Sequence, residues 1–161
     1  MSLVDAIQLG ESKGYAKVLN QPLAGKSVAI VGGGPGFHPK MMKALEPTDP
    51  ILTNNAYMLA KNPHVLVAFD ARYYLWHGRS ILSAGHRAFC ALRDNQPAPM
   101  QGRVKSFRKE TRVNTPREQA AETGILSTRP DTLPGRNSGH GAINLAILLG
   151  AERIYLAGFD M

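Results

Sequence analysis

Short apolar runs separated by polar or glycine-rich turns recur along most of the chain. Several of these runs predict buried strands, because each is continuous and too short for a buried helix. They occupy residues 27–31, 51–54, 65–69 and 88–92, with weaker runs at 104–107 and 125–127. Stretches of helical pattern lie between them and predict short helices at residues 39–46, 56–61 and 71–84.

The last quarter of the chain predicts a buried helix followed by a buried strand. Ser138 is of a type favoured as an N-cap, and Gly150 suits a left-handed position just after the helix. The helix is apolar almost all round, so we expect it to pack against a sheet. Its first turn is expected to direct unpaired backbone N–H groups at an anion. The strand that follows ends at Asp160.

The alternation of helices with continuous apolar strands predicts an α/β fold. Strands of this kind favour a mostly parallel, Rossmann-like sheet with helices on both faces. A length of 161 residues predicts one domain, spanning residues 1–161. Residues 1–24 have a weak helical pattern and predict a short helix or an arm packed on the domain. Residues 93–137 contain five prolines and predict an irregular insert or lid.

Composition narrows the class of protein without identifying a function. A hydrophobic fraction of 43% with no long apolar run excludes a membrane-spanning helix. The single cysteine, Cys90, rules out an internal disulfide, and no signal peptide is visible, so we expect a cytoplasmic protein. The net charge of +7 marks a basic protein and favours anionic ligands or partners.

Basic residues crowd one short segment, and they leave two interpretations open. The segment contains Arg103, Lys105, Arg108, Lys109, Arg112 and Arg117. Such a cluster could bind a nucleic-acid backbone, or it could be a solvated face. Phe107 is its only aromatic residue, whereas single-strand binders use several rings for stacking. A nucleic-acid-binding module is therefore the less favoured alternative.

Polar or glycine residues follow each of several predicted strands. They are Gly32 to Gly34, the pair Asn54 and Asn55, and the acids Asp70 and Asp160. The carboxyl ends of parallel strands share one edge of a sheet, and ligands of open α/β sheets bind at that edge. We therefore expect these residues to lie together around a binding site.

Two common nucleotide motifs fail on spacing. Gly25 to Ser27 lacks the upstream glycine of a P-loop, since Asn20 stands there, and it precedes a strand. For a dinucleotide fingerprint, the third glycine would fall at Phe37, and no acid ends the second strand. NAD and FAD are therefore not expected. What remains is a glycine turn that allows close approach of a phosphate or ribose.

Two segments together resemble a known group. Residues 28–37, VAIVGGGPGF, are similar to the glycine turn of the MptE-like Rossmann proteins. Residues 138–160 resemble their closing block, in which S-G begins a helix and I-Y-L-A-G-F-D ends a strand. That group includes archaeal 6-hydroxymethylpterin diphosphokinases and flagellin-modifying glycosyltransferases, and it is related to bacterial sialyltransferases that use CMP-sialic acid.

The resemblance implies a nucleotide-dependent transferase, with glycosyl transfer favoured over diphosphoryl transfer. The implied nucleotide-binding residues are Gly32, Gly33, Gly34, Asn54, Ser138 and Gly139. Three further residues are candidates for catalysis: Asp70, His140 and Asp160. In a diphosphokinase, Mg²⁺ held by carboxylates such as Asp70 or Asp160 would share the work of stabilising charge on the phosphates.

Each candidate also has a structural interpretation. Asp70 is equally placed to cap the following helix, and Asp160 to stabilise a turn, while His140 could be a packing residue. Tyr73, Tyr74 and Trp76 are expected to pack rather than to stack on a base.

The chain also departs from the group's pattern. The general-base histidine of the sialyltransferases lies beyond the closing strand, where this chain offers no residue. Two positions in the glycine turn differ as well, because Gly33 replaces an asparagine and Gly36 a serine. A minimal, non-catalytic relative that acts as a binding or accessory protein is therefore an alternative. The base, the acceptor and the oligomeric state stay open.

Overall fold

The centre of the fold is a parallel sheet, seen in a computed structural model that describes residues 2–10, 14–92, 103–110, 126–134 and 137–160. Two strands, β1 (Ile7–Leu9) and β2 (Ala16–Val18), form a separate antiparallel pair. The sheet itself contains β3 (Ser27–Val31), β4 (Ile51–Thr53), β5 (Val65–Val67), β6 (Arg87–Leu92), β7 (Lys105–Lys109), β8 (Thr132–Leu133) and β9 (Arg153–Ala157). Its spatial order is β8-β7-β6-β5-β4-β3-β9, and every adjacent pair is parallel.

Helices cover both faces of this sheet, which confirms the predicted Rossmann-like α/β class. The helices are α1 (Pro39–Leu45), α2 (Ala71–Ser83) and α3 (Ser138–Leu148), with 3₁₀ turns at Glu46–Thr48 and Asn54–Leu59. Because side chains alternate across a strand, neighbouring residues of β5 enter different cores. Val65 packs in the core that contains Leu145 of α3, whereas Leu66 packs with Met42 of α1 and Ile81 of α2.

The first residues of the chain form a β-hairpin rather than the predicted helix. Ile7 pairs with Val18, and both side chains are buried against the α3 side of the sheet, while Lys17, the neighbour of Val18 in β2, is exposed. Each strand has three residues, too few for an alternating pattern to stand out in the sequence. The alternative interpretation, an arm packed on the domain, agrees with the burial of Leu3 and Ala6 in the same core.

The predicted irregular insert, residues 93–137, contributes two strands to the sheet. The weak apolar run at 104–107 lies in β7, and β8 pairs beside it at the edge, with Arg108 opposite Thr132. The strand expected at 125–127 is not formed by its described residues, Leu126 and Ser127. The interpretation of this segment as a lid falls mainly on residues that lie outside the described parts of the chain, namely 93–102, 111–125 and 135–136.

The chain reverses its direction across the sheet between β8 and β9. From β3 to β8 each new strand adds on the same side, and then α3 returns the chain so that β9 pairs with the other side of β3. Such a switch point opens a crevice at the carboxyl ends of the two strands that flank it. The turns after β3, β4, β5 and β9 therefore meet at one edge, as the sequence predicted.

Candidate functional site

The turns after β3 and β9 pack directly on each other. We call residues 32–36 the glycine turn and residues 158–160 the closing turn. The N–H of Gly34 donates to the carbonyl of Gly158 over 2.8 Å. A side chain at Gly34 would come within 2.7 Å of that carbonyl oxygen and of a carboxylate oxygen of Asp160. The close approach expected of the glycine turn is thus made by the protein's own backbone.

Asp160 has a structural partner in the same contact. Its Oδ2 accepts a hydrogen bond from the N–H of Gly36 over 2.7 Å, joining the closing turn to the glycine turn. This geometry agrees with the interpretation of Asp160 as a turn-stabilising residue. Gly33 faces the other way, where a Cβ would lie 3.3 Å from the Cβ of Asn55, so it joins the glycine turn to the segment after β4.

Asn137, not Ser138, caps α3, which corrects the predicted N-cap. The Asn137 Oδ1 accepts from the N–H of Gly139 over 2.7 Å and from that of His140 over 3.4 Å. The prediction of unpaired N–H groups at this helix end is therefore wrong for these two residues. Ser138 instead accepts from the N–H of Phe69 over 3.0 Å and ties α3 to the end of β5. Ser138 is nearly buried there.

A cleft of about 570 Å³ lies at the same edge, between the ends of β4 and β5 and the beginnings of α2 and α3. We call it the carboxyl-edge cleft. It is lined by Asn54, Asn55, Phe69, Asp70, Tyr73, Trp76, His77, Asn137 and Ser138. The structure thus brings three predicted site residues together: Asn54, Asp70 and Ser138. The other predicted residues, Gly32, Gly33, Gly34, Gly139, His140 and Asp160, are outside this lining.

The polar wall of the cleft is held by local backbone geometry. Asp70 caps α2 by accepting from the N–H of Arg72 over 2.8 Å, which confirms its structural interpretation and still leaves the carboxylate exposed. Asn54 has φ of 45°, in the left-handed region that an asparagine tolerates better than most residues. This turn begins the 3₁₀ segment after β4 and leaves the Asn54 side chain exposed at the cleft.

The aromatic wall of the cleft comes from α2. Tyr73 and His77 are stacked, with ring centroids 4.5 Å apart and planes at 24°. Trp76 is 75% exposed, so the expectation that it packs in the core is wrong. Tyr74, on the opposite side of the helix, does pack as expected and donates its buried hydroxyl to the carbonyl of Phe89.

His77 is the site residue that the sequence interpretation missed. Its Nδ1 lies 2.9 Å from the hydroxyl of Tyr57, and its ring lines the cleft with Asp70. The signal was present in the spacing, because Asp70, Tyr73 and His77 are at i, i+3 and i+7 and share one helix face.

The described residues do not gather the metal-ligating side chains into a cluster. Across those parts of the chain, no group of three or more His, Cys, Asp or Glu side chains could hold a metal ion. Both proposed carboxylates, Asp70 and Asp160, already accept hydrogen bonds from backbone N–H groups.

His140 lies at the start of α3, where partial burial lowers its pKa below the usual 6.5 and favours the neutral ring.

Two other histidines lie at the opposite edge of the sheet, just before β5 and β6. His64 and His86 are both 3% exposed, and the N–H of His64 donates to the Nδ1 of His86 over 3.1 Å. The Nδ1 of His64 lies 3.0 Å from a carboxylate oxygen of Asp49. Burial lowers the pKa of His86 below its usual 6.5, and the neighbouring His64 lowers it further.

The stability of the protein is expected to fall as the pH drops below 6.5. The unfolded chain takes up a proton at His86 near that pH, whereas the folded chain resists it, so unfolding is favoured until the lower folded pKa is reached. One such proton contributes at most about 1.4 kcal/mol per pH unit. Urea unfolding at several pH values measures this slope. The H86N variant, whose amide oxygen still accepts from His64, should reduce the slope; an unchanged slope would contradict the assignment.

The basic cluster is partly used within the fold. Lys105 to Lys109 form β7, and the guanidinium of Arg108 lies 5.3 Å from the centre of the Tyr15 ring and 3.7 Å from a carboxylate oxygen of Asp131. Arg112 and Arg117 lie outside the described residues.

No protein-family model, no curated protein sequence and no solved structure matches the chain. The resemblance to the MptE-like group therefore rests on the quoted residues alone. Of the helices described, none has the length and apolar character needed to cross a membrane.

Proposed function

We propose that this protein binds a nucleotide or a nucleotide-sugar in the carboxyl-edge cleft and transfers a glycosyl group from it. The observation that carries the proposal is the cleft itself, which combines aromatic and hydrogen-bonding walls at the ligand-binding edge of a parallel sheet. Its volume of about 570 Å³ is in the range of small-molecule sites. The likeness to MptE-like proteins supports the same ligand class.

The two walls suit the two chemical parts of a nucleoside. The indole of Trp76 and the ring of Tyr73 offer faces for a base, and stacking of this kind tolerates any base. The carboxylate of Asp70 and the amide of Asn54 offer acceptors for ribose hydroxyls. The net charge of +7 favours a ligand that carries phosphates.

Transfer from such a donor needs little covalent chemistry from the protein. The enzyme holds the donor in position and stabilises negative charge on the leaving phosphate. Glycosyl transfer comes before diphosphoryl transfer in this proposal, in the order that the resemblance to the MptE-like group implies.

Binding without turnover is the second candidate function. Asp70 and Asp160, the two acids proposed for catalysis, each accept a hydrogen bond from a backbone N–H group. This structural role favours binding without turnover. Release of free nucleotide from a nucleotide-sugar by the purified protein would separate the two, because only a transferase or hydrolase produces it.

Nucleotides are expected to raise the melting temperature of the protein, and Trp76→Ala is expected to weaken that effect. Loss of one base-stacking surface corresponds to about 1–3 kcal/mol, or a roughly 5- to 150-fold increase in Kd. The measurement is a thermal-shift series with CMP, CDP, UDP, ADP and ATP at millimolar concentration.

Leu75→Ala provides the matched control for that experiment. Leu75 precedes Trp76 in α2 and is also 75% exposed, but it does not line the cleft. Both substitutions remove an exposed side chain, so the melting temperature of the free protein should hardly change. If the wild type shows no shift with any of the five nucleotides, the nucleotide proposal is wrong. An equal loss in the two variants would place the ligand outside the cleft.

A further inference from the structure

The charge of the cleft wall is uneven. Among the residues that line the carboxyl-edge cleft, His77 is the one basic side chain, and Asp70 is the one acid. They are seven residues apart on α2, which is roughly 10 Å along the helix axis. A ligand with hydroxyls at one end and phosphates at the other complements this wall if its hydroxyls lie near Asp70 and its phosphates lie near His77. The glycine turn, by contrast, is filled by the closing turn.

The ring of His77 is fixed by its neighbours. It stacks on Tyr73 and meets the edge of Tyr57, whose ring centre is 5.9 Å away at an interplanar angle of 72°. Tyr57 is 8% exposed and does not line the cleft, so the Nδ1 side of the imidazole faces the interior. Nε2 is the ring nitrogen left for a ligand.

The hydrogen bond with Tyr57 also decides where the imidazole proton lies. Among the described residues, the Tyr57 hydroxyl has no hydrogen-bond partner other than His77. If Nδ1 donated, the hydroxyl proton of the largely buried Tyr57 would have no acceptor among the described residues, which is costly. The hydroxyl therefore donates to Nδ1, and the neutral ring carries its proton on Nε2. Protonation of the ring leaves Nε2–H in place and adds a positive charge.

We propose that His77 donates a hydrogen bond from Nε2–H to a phosphate oxygen of the bound nucleotide, and that Tyr57 is the positioning residue that holds this tautomer. The proposal rests on the proposed function and adds the place of the phosphates within the cleft. It also gives the site a basic group, which neither Asp70 nor the asparagines supply.

The test compares nucleosides with their diphosphates. Titrations of cytidine and CDP, uridine and UDP, and adenosine and ADP measure Kd for the wild type, His77→Leu and His77→Gln. His77→Leu should weaken the diphosphate about 10-fold and leave the nucleoside unchanged, as expected for the loss of a charge-assisted hydrogen bond. His77→Gln can place an amide N–H near the Nε2 position and should recover most of that loss.

Tyr57→Phe tests the positioning role by a spectroscopic signature. Nitrogen NMR of the neutral imidazole should find the wild-type proton on Nε2. The variant should contain more of the Nδ1–H form and bind the diphosphate a few-fold more weakly. Unchanged tautomers, or equal weakening of nucleoside and diphosphate by His77→Leu, would overturn the assignment. If the wild type binds neither ligand of any pair, both proposals fall; if it binds and His77→Leu has no effect, only this one falls.

Discussion

Replacing Gly158 with alanine is expected to destabilise the protein by about 3 kcal/mol. Gly158 has φ of +71°, a conformation that costs an L-residue about 1–2 kcal/mol. A Cβ there would also lie 2.5 Å from the carbonyl oxygen of Gly32 and 2.8 Å from the Cβ of Phe37. The first neighbour is backbone, so relief requires the contact between the glycine turn and the closing turn to open.

Gly25→Ala separates these two contributions. Gly25 has nearly the same φ, +70°, but a Cβ there would meet nothing within 4 Å. It should therefore cost only the conformational part, about 1–2 kcal/mol. Denaturant unfolding of both variants measures the difference, which is the steric cost of placing a Cβ between the two turns. Equal losses in the two variants would show that the closing turn does not pack on the glycine turn as described.

Asn144→Ala is expected to destabilise the protein by a similar amount, about 3 kcal/mol. Asn144 is fully buried in α3, and its amide forms two hydrogen bonds with the backbone of Ser127: Oδ1 accepts from the N–H over 2.5 Å, and Nδ2 donates to the carbonyl over 3.0 Å. Alanine would leave both backbone groups buried without a partner. Each such group costs about 1–3 kcal/mol, against a total stability of about 5–15 kcal/mol.

Ser127→Ala is the control for this second variant. It removes the hydroxyl, which accepts from the N–H of Arg129, but it keeps the backbone groups that Asn144 contacts. Asn144→Ala should therefore cost as much in the Ser127→Ala background as in the wild type. Unfolding free energies of the two single variants and the double variant provide the comparison. A much smaller loss in the double variant would mean that the serine side chain, not the backbone, is the partner.

Most of the sheet was predictable because strands β3 to β6 are buried on both faces. The closing strand is the exception, because β9 was predicted to be buried and to end at Asp160. It ends at Ala157 and lies at the edge of the sheet, where Tyr155 is 57% and Leu156 54% exposed. Runs such as residues 65–69 are continuously apolar, and the structure places a strand at each of the stronger runs. Two of these strands end one to two residues earlier than predicted, and β6 begins one residue earlier. The hairpin at the start of the chain was not predictable in the same way. Ile7 and Val18 are buried by long-range pairing and by contact with α3, which a local pattern does not report.

The location of the site at the edge of the sheet was predictable, but the set of residues that line it was not. Residues after parallel strands must meet at one edge, so Asn54 and Asp70 were found from their positions alone. Whether a polar group is free depends on atoms distant in sequence. The Ser138 hydroxyl accepts a hydrogen bond from the N–H of Phe69, and the Asp160 carboxylate accepts one from the N–H of Gly36. Neither partner can be identified from the neighbouring sequence. His77 lies a full two turns inside a helix, where a polar residue most often faces solvent.

The chain contains a single tryptophan, Trp76, and it stands exposed on the wall of the cleft. The intrinsic indole fluorescence of this protein therefore originates at the proposed binding surface and nowhere else. A base lying against the indole would quench that emission, while events elsewhere in the molecule would leave it largely unchanged. The protein thus carries its own optical reporter of cleft occupancy, and no dye or label has to be introduced.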